Sequence, residues 1–133
     1  MKYITNNSFN PCYNLALEEY VLKRLPADDY IILWQNEPTV VIGKHQNAIE
    51  EINSTYIKEH GINVVRRITG GGAVYHDQGN LNFSFITRVK NRELLDFKSF
   101  TLPVVNALGK MGIEAELSGR NDITIEGKKI SGN

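Results

Sequence analysis

The sequence predicts an α+β fold. Segments typical of strands and of helices follow one another in an irregular order, which favours α+β over the regular alternation of a doubly wound sheet. The 133 residues include 41% hydrophobic and 23% charged residues, the composition of an ordinary globular domain. No repeat, linker or low-complexity segment interrupts them, so we interpret residues 1–133 as one domain.

The chain begins with a short strand and a helix. Residues 2–4 predict the strand, and the helix follows over about residues 12–25, where apolar residues recur near helical spacing. Asn10 and Pro11 are a typical helix start, because the fixed φ of proline suits the first turn. Pro26 ends the helix.

Two strands and a second helix come next. Runs of β-branched and aromatic residues predict strands over residues 30–35 and 39–43, separated by an Asn-Glu-Pro turn. Asn53 or Ser54 caps a short helix, and Gly61 ends it.

The middle of the chain predicts three more strands, over residues 62–67, 73–76 and 81–87. The Asp-Gln-Gly-Asn sequence of residues 77–80 between the last two is a strong turn signal.

A helix and a hairpin complete the prediction. The helix starts at Ser99 or Thr101, with Pro103 in its first turn and Gly112 after its end. The last strands cover residues 113–118 and 122–126, and the Glu-Gly pair that follows suits a tight turn.

Charge and hydropathy exclude several classes of protein. Fifteen Lys and Arg residues balance fifteen Asp and Glu residues, which excludes a polycationic nucleic-acid binder. No apolar run approaches the roughly 20 residues of a membrane span. Cys12 is the single cysteine and cannot form an internal disulfide, and no apolar export signal follows Met1. We therefore expect a cytoplasmic protein that binds neither nucleic acid nor membrane.

The glycine run Gly70-Gly71-Gly72 is the strongest local signal. Consecutive glycines cost backbone entropy, but their N–H groups can converge into an anion-binding nest against which a ligand can lie. Arg66 and Arg67 just upstream offer planar forks suited to phosphate or carboxylate. A plain glycine-rich turn is the alternative. Two other nucleotide motifs are excluded: the glycine run is not G-x-G-x-x-G, and no glycine precedes Gly127-Lys128-Lys129 at P-loop spacing.

A second signal lies near residue 130. Asp122 on one strand and Lys129 on the next can meet on one face of a hairpin. A lysine there can neutralise charge that grows in a transition state, and Asp122 could hold Mg²⁺. The alternative is an exposed hairpin with solvated lysines. Lys128 and Lys129 point to opposite faces, so at most one of them faces inward.

Other candidates are weaker. Trp34 could form a wall of an apolar slot or lie in the core. His76 and Asp77 resemble an orienting pair, but no serine or cysteine nucleophile completes a triad. The three histidines lack the spacing of a zinc site.

Several blocks in order resemble the lipoate–protein ligases, within the biotin/lipoate ligase superfamily. The matching blocks cover essentially the whole chain: residues 14–19 (NLALEE), 41–47 (VIGKHQN), 66–77 (RRITGGGAVYHD), 79–80, 119–122 (GRND) and 129–132 (KISG). The resemblance implies a catalytic domain of the biotin/lipoate ligase type, with a mixed, largely antiparallel sheet packed with helices.

The resemblance also implies a reaction. Lipoate and MgATP give lipoyl-AMP and pyrophosphate, and the lipoyl group then passes to a lysine of an acceptor. The expected acceptors are apo lipoyl domains of 2-oxo acid dehydrogenase complexes or the glycine-cleavage H protein. The cofactors implied are ATP and Mg²⁺, with lipoate as substrate.

Site residues follow by resemblance, with Lys129 as the catalytic residue and Asp122 as the metal ligand. The nucleotide-binding residues would be Arg67, Gly72, Ala73, Val74, Tyr75 and Lys129. The lipoate-binding residues would be Trp34, Arg67, Gly71, His76 and Lys129.

Members of this family normally continue well beyond this lysine. We therefore expect residues 1–133 to be the N-terminal portion of such a domain, incomplete at its C-terminus. Either the chain is a fragment or a second polypeptide completes the sheet, because the final strand would otherwise leave an unpaired edge.

Two alternatives remain open. One is an octanoyl or lipoyl transferase of the same superfamily, which needs no ATP and usually works through a cysteine thioester; Cys12 lies at the start of the first helix and does not suit that role. The other is a module that binds lipoyl-AMP without turnover. Biotin ligase fits less well, because its glycine-rich signature differs.

Overall fold

The computed structural model describes residues 1–87, 97–119 and 121–132. Its elements are, in order, β1 (Lys2–Ile4), α1 (Pro11–Arg24), β2 (Tyr30–Trp34), β3 (Thr39–Ile42), α2 (Ala48–Glu51), α3 (Ser54–Glu59), β4 (Asn63–Arg66), β5 (Val74–His76), β6 (Asn82–Ile86), α4 (Phe97–Lys110), β7 (Glu116–Ser118), β8 (Asp122–Ile125) and β9 (Lys128–Gly132). The predicted α+β class is confirmed. The chain divides into two compact units, Met1–Arg88 (the first unit) and Val89–Asn133 (the second unit).

The first unit contains two three-stranded sheets. One has the order β1-β2-β6, with β1 parallel and β6 antiparallel to β2. The other has the order β4-β3-β5, with β4 parallel and β5 antiparallel to β3. The predicted turn after β5 is present, since the Asp77 carboxylate accepts from the N–H of Gly79 at 2.8 Å. It joins two sheets, because β5 pairs with β3 whereas β6 pairs with β2.

Helix α1 packs on the sheet that contains β2. Asn10 caps the helix by accepting from the N–H of Tyr13 at 3.0 Å, and Pro11 occupies the first turn, as the sequence predicts. Val21 of the helix forms a buried core cluster with alternate residues of β2, which are Tyr30, Ile32 and Trp34. Burial of these large apolar side chains fixes helix and sheet together.

A partly buried carboxyl group lies at the edge of this core. Glu18 of α1 accepts a hydrogen bond from Ser84 of β6, and the Ser84 oxygen accepts from Nε1 of Trp34 at 2.8 Å. Burial raises the pKa of the Glu18 carboxyl, and the hydrogen bond from Ser84 opposes that shift. The core therefore favours the protonated form of Glu18.

The second unit combines α4 with the antiparallel sheet β7-β8-β9. The prediction that Pro103 lies in the first turn of its helix is wrong, because α4 begins at Phe97 and encloses this proline. A proline at that depth removes one hydrogen bond of the helix. The Glu-Gly turn is confirmed: Glu126 and Gly127 have φ of 48° and 73°, as in the two-residue hairpin turns that fit twisted strands.

Two of the strands that start later than predicted, β4 and β7, follow the end of a helix. Gly61 and Gly112 have φ of 61° and 82°, so each ends its helix in the left-handed conformation. The next N–H then bonds back to the helix: Ile62 to the carbonyl of Ile57 and Ile113 to that of Leu108, both at 3.0 Å. These amides cap helices and do not pair in a sheet.

One smaller difference remains. Residues 48–51 form a one-turn helix, α2, capped by Asn47, which the sequence did not predict. Among the described residues, no helix has the length and hydropathy that would let it span a membrane.

We predict that Glu18→Gln stabilises the chain near neutral pH. Because the pKa of Glu18 is raised by folding, the unfolded chain loses this proton first as the pH rises, and stability falls above the ordinary range of a carboxyl group. Glutamine keeps the acceptor for Ser84 and carries no charge. Thermal unfolding from pH 4 to pH 8 should show a higher Tm for the variant at pH 8 and a shrinking difference towards pH 4. An equal loss of Tm at every pH would contradict this assignment.

Candidate functional site

The three glycines Gly70, Gly71 and Gly72, here called the glycine loop, pack against a second glycine. A Cβ added at Gly43, just after β3, would lie 2.0 Å from the carbonyl oxygen of Gly71. Real Cβ atoms cannot approach that closely, so the contact requires glycine at position 43. Gly71 has φ of 99°, and a Cβ there would meet Nη2 of Arg67 at 2.7 Å. Both positions are therefore restricted to glycine by the protein's own packing.

The guanidinium of Arg67 holds the glycine loop by its carbonyl oxygens. Its Nη2 donates to the carbonyls of Gly70 at 2.9 Å and Gly72 at 2.7 Å, and its Nε donates to Gly70 at 3.2 Å. Its Nη1 donates to the carbonyl of Val41 in β3 at 3.2 Å. A charged donor makes these bonds stronger than neutral ones. Arg67 thus attaches the loop to the edge of the β4-β3-β5 sheet.

This arrangement orients the N–H groups of the loop. A trans peptide points its N–H opposite to its C=O, so the N–H of Gly71 faces away from Arg67 and the N–H of Gly72 faces away from Gly43. Within the described residues, the N–H groups of Gly70, Gly71 and Gly72 have no acceptor. Successive unpaired N–H groups beside a fixed positive charge are suited to binding an anion.

Arg66 supports the turn that carries Gly43. Its Nη1 donates to the carbonyls of Gly43 at 2.9 Å and Gln46 at 2.7 Å. The Gln46 side chain accepts from the N–H of Gly43 at 2.7 Å, and the N–H of Lys44 donates to Thr69 at 2.8 Å. Both arginines were interpreted from the sequence as planar forks suited to phosphate or carboxylate, and in the structure both forks hold backbone carbonyls around the glycine loop.

The candidate residues after the loop form an edge strand. Val74 and Tyr75 of β5 are 45% and 52% exposed, and β5 pairs with β3 on one side within the described sheet. Ala73 leads from the loop into this strand and is partly buried. These exposed side chains offer an apolar and an aromatic surface beside the loop.

Trp34 and His76 connect the core with the site. Trp34 is 7% exposed, and its ring lies edge-on to the His76 ring with centroids 5.8 Å apart. Nδ1 of His76 lies 3.3 Å from Nδ2 of Asn36, a fully buried residue between β2 and β3. Burial and the nearby charge of Arg67 lower the pKa of His76, while Asp77 raises it. The imidazole is therefore held in its neutral form.

In the second unit, Lys129 and Asp122 form an ion pair. Lys129 Nζ lies 3.0 Å from Asp122 Oδ1. A bulge makes this possible: Ile123 pairs with Ser131 but Thr124 pairs with Lys129, so β9 carries one extra residue. Without it, Lys129 would lie on the face opposite Asp122, because side chains alternate along a strand.

The ammonium of Lys129 also lies over Gly132. A Cβ at this glycine would be 3.0 Å from both Cε and Nζ of the lysine. The absence of a side chain at position 132 therefore lets Lys129 lie back along β9 toward Asp122. Arg120, which the sequence groups with Asp122, lies outside the described residues.

Magnesium has one candidate ligand here. Across the described ranges, no group of three His, Cys, Asp or Glu residues is arranged to hold a metal ion. Mg²⁺ needs only one or two carboxylates when phosphate oxygens and water complete its shell. Asp122 is partly exposed and uses one oxygen for Lys129, so its other oxygen fits this requirement.

The structure thus groups the predicted residues within each unit. In the first unit, Arg67, the glycine loop and His76 lie around the β4-β3-β5 sheet. In the second, Asp122 and Lys129 meet on one hairpin. Gly43 and Asn36 had no role assigned from the sequence. The available signal for Gly43 was a glycine directly after a buried strand. No local signal marks Asn36.

Comparison with known proteins identifies the family. The family model described as the lipoyl protein ligase A/B catalytic domain matches residues 10–133. The lipoate–protein ligase LplJ of Bacillus subtilis is 57% identical over 135 residues, which cover 100% of this chain and 41% of LplJ. The chain therefore spans about two-fifths of the length of this curated relative.

Solved structures agree with this assignment. A bipartite lipoate–protein ligase from Thermoplasma acidophilum, studied with its E2 lipoyl domain, superposes with a TM-score of 0.91 at 32% identity, over 98% of this chain and 54% of the other. A lipoate–protein ligase A bound with ATP gives a TM-score of 0.87 at 32% identity, over 98% and 59% of the two chains. The resemblance carried by the sequence motifs is confirmed, and this chain belongs to the lipoyl protein ligase A/B catalytic domain family.

Proposed function

We propose that this chain carries the substrate-activating part of a lipoate–protein ligase. In the proposed reaction, lipoate and ATP form lipoyl-AMP and pyrophosphate, and the lipoyl group then passes to a lysine of an acceptor lipoyl domain. The observation that carries the proposal is the glycine loop, whose carbonyls are held by Arg67 and whose N–H groups have no acceptor among the described residues. The ATP-bound relative supports the choice of nucleotide.

The glycine loop would bind the phosphates of ATP. The N–H groups of Gly71 and Gly72 supply donors, and Arg67 supplies positive charge directly behind them. Gly72, Ala73, Val74 and Tyr75 would line the nucleotide, as the family resemblance implies. Because Arg67 already uses four N–H directions on backbone carbonyls, it would act mainly through its charge and through the shape of the loop.

Trp34, Gly71, Arg67 and His76 would bind lipoate. Trp34 is 7% exposed, so it would act mainly by holding the His76 ring beside the acyl chain, and the neutral His76 offers a hydrogen bond near the charge of Arg67. Adenylation requires a lipoate carboxylate oxygen to attack the α-phosphorus while pyrophosphate leaves. Two anions must approach, so fixed positive charge and N–H dipoles lower the barrier.

Lys129 would be the catalytic residue. Its ammonium can neutralise the negative charge that accumulates as the carboxylate attacks the phosphate. Asp122 keeps the lysine in a defined position through the 3.0 Å ion pair. Asp122 would also hold Mg²⁺, which when bound reduces the repulsion between phosphate oxygens and the incoming carboxylate.

The acceptors we propose are apo lipoyl domains of 2-oxo acid dehydrogenase complexes or the glycine-cleavage H protein. The bipartite ligase of Thermoplasma acidophilum supports a second polypeptide that completes the domain. The proposed reaction consumes ATP, and we place it in the cytoplasm.

Mass spectrometry of an apo lipoyl domain tests this function. The domain is incubated with the chain, lipoate and MgATP, and pyrophosphate is measured in parallel. We expect lipoate-dependent pyrophosphate release and one added lipoyl group. Acyl transfer from an acyl carrier protein without ATP would identify a transferase. Tight binding of lipoyl-AMP with neither product would identify a binding module. Either result would contradict the proposal.

We predict that Lys129→Ala reduces pyrophosphate release by about 10²–10³-fold, the usual effect of removing one group that stabilises a transition state. The fold should persist, because a partly exposed ion pair contributes little stability. Lys128→Ala is the matched control, since it removes the same charge from the preceding residue of β9, where the structure shows no ion pair with Asp122. Equal rates for both variants would refute the role of Lys129.

We predict that Gly72→Ala weakens ATP binding without unfolding the chain. A Cβ at Gly72 meets nothing within 4 Å, so any loss must come from the ligand. Calorimetry should show about tenfold weaker ATP binding, equivalent to about 1.4 kcal/mol, and an unchanged Tm. Gly71→Ala is the contrast: its φ of 99° and the contact with Arg67 should lower Tm as well. Unchanged ATP affinity in Gly72→Ala would remove this loop from the nucleotide site.

A further inference from the structure

A chain of buried amides runs from the N-terminal segment to His76. Asn14 of α1 and Asn36 are 1% and 0% exposed. Nδ2 of Asn6 donates to Oδ1 of Asn14 at 2.8 Å, Nδ2 of Asn14 donates to Oδ1 of Asn36 at 2.8 Å, and Nδ2 of Asn36 reaches Nδ1 of His76 at 3.3 Å. Buried polar side chains of this kind persist because each has its partner.

Backbone groups fix the direction of every amide in this chain. Nδ2 of Asn14 also lies 2.8 Å from the carbonyl of Gln35 and 3.1 Å from that of Ser8, which can only accept, so its two hydrogens are shared among three acceptors. Oδ1 of Asn6 accepts from the N–H of Ser8 at 3.0 Å, which can only donate. Flipping the amide of Asn14 would set its oxygen against two carbonyls. The amide of Asn36 is therefore fixed as well, with its oxygen towards Asn14 and its NH₂ towards His76.

The fixed amide determines the tautomer of His76. Because Asn36 presents a donor, Nδ1 of His76 must accept, and the ring hydrogen of the neutral imidazole lies on Nε2. No described residue accepts from Nε2. The charged groups near the ring are Arg67, which disfavours protonation, and Asp77, which favours it.

We propose that Asn14 and Asn36 are positioning residues that hold His76 as the neutral Nε2–H tautomer, so that Nε2–H donates to the carboxyl end of the acyl substrate. The carboxyl oxygens are the strong acceptors that lipoate offers, since its sulfur atoms accept only weakly. The identity of the acceptor rests on the proposed function. The tautomer and its cause do not, because they follow from the amide chain alone.

Nitrogen NMR of the unsubstituted chain tests the tautomer directly. Long-range ¹H–¹⁵N correlations of His76 should show a protonated Nε2 and an unprotonated Nδ1 from pH 7 to pH 9. A proton on Nδ1 would overturn the inference, whatever the ligase assay shows. This measurement needs no variant, so a substitution that fails to fold cannot obscure it.

Asn36→Asp tests the role of the amide. The new carboxylate should draw the proton to Nδ1 and raise the pKa of His76 by roughly 1–3 units. Above that pKa the ring keeps Nδ1–H and loses the Nε2 donor. Lipoate affinity of the variant should therefore fall by about tenfold as the pH rises, whereas that of the unsubstituted chain should stay constant.

Two controls separate positioning from structure. Asn53→Asp adds the same charge at the N-cap of α3, where aspartate caps as well as asparagine, and should leave the lipoate profile flat. His76→Gln supplies an amide donor that needs no fixed tautomer, so Asn36→Asp in that background should show no pH-dependent loss. A pH-dependent loss that persists there would overturn the positioning role. If NMR shows the expected tautomer but the unsubstituted protein binds no lipoate, the proposed acceptor and the proposed function are both wrong. The inference about the tautomer would still hold.

Discussion

The candidate site of the first unit depends on how the carbonyl oxygens of the glycine loop are held. Arg67 binds two of them, and the third lies where a side chain at Gly43 would otherwise be. A single guanidinium makes these bonds while also holding β3, so the loop, the strand and the positive charge form one rigid assembly. The N–H groups that result are set by packing before any ligand arrives, which is the condition for preorganised electrostatic binding.

Local chemistry explains which parts of the fold could be predicted from the sequence. Asn10 and Pro11 start α1, Gly61 ends α3, and Glu126 with Gly127 forms the last turn, because caps and turns depend on a few neighbouring residues. Helix caps likewise explain why β4 and β7 do not begin directly after Gly61 and Gly112, since an amide that caps a helix cannot also pair in a sheet. The predicted start of α4 was wrong because proline is most common in the first turn of a helix but can also lie in a later turn, as Pro103 does.

Contacts between distant residues explain what could not be predicted. Gly43 and Gly71, or Asn14 and Asn36, become neighbours only when the strands have paired. The arginines illustrate the same limit. A sequence shows that Arg66 and Arg67 can bind oxygen atoms in a planar fork, but it cannot show that backbone carbonyls occupy that fork. The residue types of the candidate site could therefore be predicted from the sequence, but the direction in which each side chain points could not.

The extra residue in β9 has a consequence for how this strand can vary. Its bulge selects which of two adjacent lysines shares a face with Asp122. Deleting or inserting one residue between the turn and Gly132 would exchange Lys129 for a neighbour on that face, although every amino-acid type in the hairpin stayed the same. The number of residues between the turn and Gly132 is thus itself a chemical determinant. A substitution changes the side chain at one position, whereas a one-residue deletion or insertion changes which residue lies beside Asp122.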